Sequence, residues 1–149
     1  MFLYLILSAV LIIADQLVKL WIVNNFNLHD GMRFINGIVS LLYVRNTGAA
    51  WGMFEGKMVF FYAITAVAVG TLLYLIFKEK GKSKLLLTAY SLILAGAVGN
   101  FIDRIRLGYV VDMFKFEFID FPIFNVADIC LTIGVIFLFY YVIFKEQSK

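Results

Sequence analysis

Charge is scarce in this chain of 149 residues: only 15% are Asp, Glu, Lys or Arg, against roughly 25% in an ordinary soluble domain. Beside 63% hydrophobic and 17% aromatic residues, that scarcity excludes a soluble enzyme and points to an integral membrane protein. Cysteine occurs once, at Cys130, so an internal disulfide framework and a multi-cysteine zinc site are both out of reach. Histidine also occurs once, at His29, which excludes the paired helical histidines of HExxH chemistry. The formal charge of +3 is clustered beside apolar stretches, without the extended basic and aromatic surface that nucleic acid requires. No metal, no cofactor and no nucleic-acid partner is expected.

What the sequence has in abundance is long apolar runs. About 20 residues of helix cross a bilayer, and four stretches reach that length: about 1–23, 58–77, 85–102 and 123–144. The first lacks a basic segment before it and a small-residue cleavage site after it, so it is expected to be a retained span. The whole chain, 1–149, then reads as a single integral membrane domain, all-α apart from a small β element. Its outer loops are 24–57 and 103–122, and its inner loop is 78–84. Lys78, Lys80, Lys82 and Lys84 crowd that inner loop, with Lys145 and Lys149 in the tail. Such density places both termini in the cytoplasm. The raw count is even, because Arg33, Arg45, Lys57, Arg104, Arg106 and Lys115 face the other side.

The outer loops carry patterns of their own. Asn36-Gly37 lies between Met32–Ile35 and Ile38–Val44, and an Asn-Gly pair between β-prone runs signals a hairpin. In the second loop, Phe114, Phe116, Phe118, Phe121 and Phe124 are interleaved with Lys115, Glu117 and Asp120, which suits an interfacial aromatic segment at headgroup level. Glu117 and Asp120 read as its solvated edge. Gly96, Gly99 and Gly134 read as points of close helix packing.

Threaded up and down, the spans bring Asp15, Lys19, Asn100, Asn125 and Asp128 to one membrane face, while the inner halves are almost free of ionisable groups. Intramembrane carboxylates are costly and point to function. Asp15 and Lys19, four apart, can pair on one helical face; a structural ion pair with Lys19 reaching outward to the headgroups is an equally good reading. For Asp103, followed at once by Arg104, a charge pair at the helix end is preferred. Asp112 lies between Val110-Val111 and Met113-Phe114, and Asp128 follows Phe124-Asn125-Val126-Ala127. Two carboxylates in such apolar settings, if brought together, would share one proton. One would activate water as base, and the other would hydrogen-bond the scissile carbonyl and protonate the leaving amine. Spacing alone leaves that pairing open. A Cys130 thiol nucleophile lacks a neighbouring histidine in sequence, and a Ser/Lys dyad would need Ser40 or another serine to meet Lys19. A transporter or proton channel using the same carboxylates as a relay is the alternative, but a relay needs polar residues through the full membrane thickness.

Five motifs in order add a resemblance that spans the whole chain: Asp15-Gln16-Leu17-Val18-Lys19, Asn46-Thr47-Gly48-Ala49-Ala50-Trp51-Gly52, Gly99-Asn100-Phe101-Ile102-Asp103-Arg104, Gly108-Tyr109-Val110-Val111-Asp112 and Phe124-Asn125-Val126-Ala127-Asp128. Together they resemble the bacterial lipoprotein signal peptidases (signal peptidase II). The resemblance implies an aspartic endopeptidase of the bacterial cytoplasmic membrane with four transmembrane helices, an extracytoplasmic β-cradle and an interfacial segment. The implied reaction is cleavage of prolipoprotein signal peptides just before a cysteine carrying diacylglycerol. Asp112 and Asp128 match the family's catalytic dyad. Asn46, Gly48, Asn100, Arg104 and Asn125, with Asp15 and Lys19, match its polar support around substrate and dyad. Trp51 and Met113 stand where phenylalanine is commoner. Implied partners are prolipoprotein substrates, membrane lipids and globomycin-type inhibitors, with the enzyme acting as a monomer.

Overall fold

The computed structural model describes residues 2–48, 53–54, 56–79, 81 and 83–145. Four helices in it are long and apolar enough to cross a membrane. They are α1 (Phe2–Asn25), α2 (Met58–Lys78), α3 (Lys84–Leu107) and α4 (Val126–Tyr140), the last extended by a π-helical turn at Tyr141–Lys145. Strands β1 (Gly31–Ile35) and β2 (Val39–Asn46) follow α1, and β3 (Val110–Phe116) follows α3. The protein is therefore a mostly helical, multi-pass membrane protein with one small sheet.

Two span ends differ from the sequence expectation, each for a local reason. Helix α3 does not stop at residue 102: it carries Asp103, Arg104 and Arg106 within its last turns and ends at Gly108, which takes φ 76° and returns its N–H to Arg104 O. That left-handed cap suits glycine. Helix α4 begins at Val126, not at 123, because Asn125 closes a capping box with Asp128: the Asn125 side chain accepts from Asp128 N–H, and the Asp128 side chain accepts from Asn125 N–H. Phe124 pairs with the sheet instead, bridging Phe114.

The sheet has the order β1-β2-β3, antiparallel throughout. The Asn36-Gly37 hairpin is present, but only Gly37 takes positive φ, at 71°. The turn is therefore not the mirror-image type usual for two-residue loops, and β1 takes up the difference as an irregularity between Arg33 and Ile35. The second outer loop, expected as an interfacial aromatic segment, begins as the end of α3 and carries the third strand, Val110–Phe116, in its middle. Glu117 remains exposed, yet its backbone N–H reaches Ile38 O and its carboxylate accepts from Gly37 N–H, so it fastens the turn to β3.

Packing falls into two cores. At one end of the bundle Leu72, Ile76, Leu86, Tyr90, Leu94 and Tyr141 form a hydrophobic cluster. At the other, Leu41, Tyr43, Val111 and Met113 on one side of the sheet close over Ile22 of α1. Burying side chains of this size from water contributes about 1.5–3 kcal/mol each, which holds the sheet against the helix ends. Helix α3 is central and packs on α1, α2 and α4. Its approach to α1 and α4 depends on Gly99, where an added Cβ would sit 2.8 Å from Asp15 Oδ2 and 3.1 Å from the Ala127 Cβ.

Candidate active site

The polar residues of the spans meet where α1, α3, β3 and α4 converge. Asp112, in β3, turns its carboxylate toward the helices: Asn46 Nδ2 of β2 donates to Asp112 Oδ2 at 2.9 Å, and Asn125 Nδ2 donates to Asp112 Oδ1 at 2.6 Å. Asp128, in the first turn of α4, accepts from Asn100 Nδ2 at 2.7 Å and from the Asn125 backbone N–H at 3.1 Å. Asn125 thus touches both carboxylates, one through its side chain and one through its backbone. Asn100 Oδ1 accepts in turn from Asn125 Nδ2 at 3.0 Å and from Lys19 Nζ at 2.9 Å.

Among the described residues the hydrogen bonds to these two carboxylates come from neutral amides. Asp112 is buried, at 2% exposure, and its carboxyl is pushed up to about 7, first by burial and then by the Asp128 charge; the bonds from Asn46 and Asn125 pull it partly back. A carboxyl at that value holds or releases a proton near neutral pH, as an acid–base group must.

Beneath the pair lies a second layer of charge. Lys19 Nζ is 2.9 Å from Asp15 Oδ2 and 3.0 Å from Asp103 Oδ2. The Asp15–Lys19 pair is as expected, but Lys19 does not reach outward: it is 3% exposed. Nor does Asp103 pair with Arg104. Neighbours on a helix point about 100° apart, so Asp103 faces inward to Lys19 while Arg104 turns to the first outer loop. There it donates to Gly48 O at 3.0 Å and lies 4.3 Å over the Phe61 ring. Gly48 N–H in turn donates to Asn46 Oδ1 at 2.9 Å. The Arg104 Nε is buried without a partner among the described residues.

All nine residues singled out from the sequence therefore lie in one connected network: Asp15, Lys19, Asn46, Gly48, Asn100, Arg104, Asp112, Asn125 and Asp128. Trp51, also considered there, lies outside the described residues. Sequence reasoning missed Asp103 as a member of the network and gave Gln16 no role beyond its place in a motif. Gln16 Nε2 donates to Asp15 Oδ2, Gly99 O and Asp103 Oδ1. A glutamine inside an apolar span was the available signal. Tyr62, which donates to Arg104 O at 3.0 Å, carried none.

Fold and site together define a class: a four-helix membrane protein with a pair of carboxylates, Asp112 buried and Asp128 half-buried, held by amides where the spans meet a surface sheet. The family model described as signal peptidase (SPase) II matches residues 7–144, and the chain belongs to that family of peptidases. It is 50% identical over 145 residues to a lipoprotein signal peptidase of Enterococcus faecalis, covering 97% of this chain and 90% of that one. To a lipoprotein signal peptidase of Lactobacillus johnsonii it is 48% identical, covering 98% of this chain and 95% of that one. A solved bacterial membrane enzyme structure superposes with a TM-score of 0.95 at 36% identity, covering 100% of this chain and 92% of the other.

Proposed function

We propose that this peptidase is an aspartic endopeptidase of the bacterial cytoplasmic membrane, in which Asp112 and Asp128 share one proton and activate a water molecule. Its substrates are prolipoproteins, cut immediately before the diacylglyceryl-modified cysteine. The observation that carries the reading is the double grip of Asn125 on both carboxylates, which joins two acids from separate elements at one point. The ionised carboxylate takes a proton from water as it attacks. The protonated one hydrogen-bonds the scissile carbonyl and then supplies its proton to the leaving amine.

The surroundings fit a substrate that is itself a membrane helix. Cleavage needs an unwound peptide, and unpaired amides in an apolar setting cost several kcal/mol. Asn46 and Arg104, whose Nε has no partner among the described residues, offer donors to that backbone. With both termini in the cytoplasm, the site faces the extracytoplasmic side, where the sheet lies against the lipid anchor. Globomycin-type cyclic peptides would place a hydroxyl between the same two carboxylates. The relay alternative loses ground because the core at the opposite end of the bundle contains no carboxylate or amine.

Purified protein incubated with a diacylglyceryl precursor should release a fragment whose new N-terminus is the lipidated cysteine. The same precursor without lipid should be a poor substrate. Equal cleavage of both forms would contradict the assignment of the lipidated cysteine as the recognised feature.

A further inference from the structure

Lys19 touches neither carboxylate of the proposed dyad, yet three routes run from its ammonium to them. Through Asp103 it reaches β3: Asp103 Oδ2, 3.0 Å from Lys19 Nζ, also accepts at 3.0 Å the N–H of Val111, the residue just before Asp112. Through Asp15 it reaches α4: Asp15 Oδ2 is 2.9 Å from Lys19 Nζ, and Asp15 Oδ1 accepts at 2.9 Å the N–H of Ala127, the residue just before Asp128. Through Asn100 it reaches the Asp128 carboxylate itself. An ammonium has three donors, and all three are used in this way.

The same arrangement occurs on both sides. Each aspartate of the dyad follows a residue whose backbone N–H is held by a buried carboxylate, and one lysine holds both of those carboxylates. Gln16 ties them once more by donating to Asp15 Oδ2 and Asp103 Oδ1. We propose that Lys19, Asp15, Asp103 and Gln16 form a brace that sets the separation of Asp112 from Asp128, with Asp103 a positioning residue for the β3 side. The inference rests on the dyad reading above. It differs from a plain stabilising ion cluster because the bonds end on the backbone beside the reacting groups, and acid–base chemistry falls steeply with misplacement on the ångström scale.

The test uses full-length protein in detergent micelles or lipid bilayers, with Asp103→Asn and Asp103→Glu compared with wild type for thermal stability, kcat and KM on a diacylglyceryl precursor. Asp112→Asn and Asp128→Asn run alongside, since turnover in either refutes the dyad itself and leaves the brace without an object. Asp103→Glu keeps the charge for Lys19 but is one methylene longer, so it displaces Val111. The brace predicts that Asp103→Glu regains most of the wild-type melting temperature while its kcat stays at least tenfold low with KM within twofold. Folded Asp103→Asn should show the same split. Wild-type kcat in folded Asp103→Asn, recovery of kcat along with stability in Asp103→Glu, or a change confined to KM would each overturn it. If Asp103→Asn does not fold, Asp103→Glu alone decides by the same criterion.

Discussion

If the proposed dyad is the catalytic pair, raising the pH through neutrality should switch activity off by removing the one proton assigned to Asp112 and Asp128. The Asp112 carboxyl, pushed up to about 7 by burial and by the neighbouring Asp128 charge, sets where that happens. At pH 8 such a group keeps its proton in about a tenth of the molecules, and each further unit costs about another factor of ten, or about 1.4 kcal/mol. Because kcat/KM reports the free enzyme, its alkaline limb should bend near pH 7 and then fall with unit slope. Stability should depend on the same group, but over the range below that limb. A carboxyl raised in the folded state binds its proton more tightly there than in the unfolded chain, so its contribution is complete below about pH 4 and is lost as pH rises through 7. Moving from 3.8 to about 7 corresponds to about 4 kcal/mol at 1.36 kcal/mol per pH unit. The assay is kcat/KM on a lipidated precursor across about pH 6 to 9, with unfolding followed from about pH 4 to 8 in wild type and Asp112→Asn. A flat kcat/KM over that range in folded protein, or the same loss of stability in Asp112→Asn as in wild type, would refute the reasoning.

Two substitutions probe the frame around the pair. Asn46→Ala removes a hydrogen bond that favours ionised Asp112; with such bonds contributing about 1.5–3 kcal/mol, the alkaline limb of kcat/KM should move up by about one to two pH units, and an unmoved or lowered limb would contradict the assignment. Gly99→Ala forces a Cβ against Asp15 Oδ2 and the Ala127 Cβ and should destabilise by about 1–3 kcal/mol, visible as a lower melting temperature; an unchanged melting temperature would show that the helices yield there at little cost.

The spans were legible because nothing but helix can carry twenty unbroken apolar residues across lipid. Their ends were less so. Apolar content extends span 4 back to Ile123, but the Asn125–Asp128 capping box is what starts the helix, and Phe124 serves the sheet. In the same way Asp103 and Arg104 look like the end of span 3 until their partners are seen across space in Lys19 and Gly48. The alternation of Phe114, Phe116 and Phe118 with Lys115 and Glu117 has the period of a strand, but it read as an interfacial segment, and only its first three residues lie in β3.

The site divides along a similar line. Its polar members could be found because ionisable groups inside spans are rare enough to mark themselves, and the five motifs placed them in a family. What sequence could not supply was which acids meet which donors. Asp15, Asp103, Asp112 and Asp128 are chemically alike, and only the fold assigns two of them to a lysine and two to asparagine amides.

The most direct measurement is turnover of a diacylglyceryl precursor by purified, folded Asp112→Asn and Asp128→Asn beside wild type. Each substitution should lower kcat by about 10² to 10⁴-fold, the range that general acid–base groups supply, while the protein stays in the membrane with its fold intact. Wild-type turnover in either variant would remove that residue from the chemistry and contradict the account.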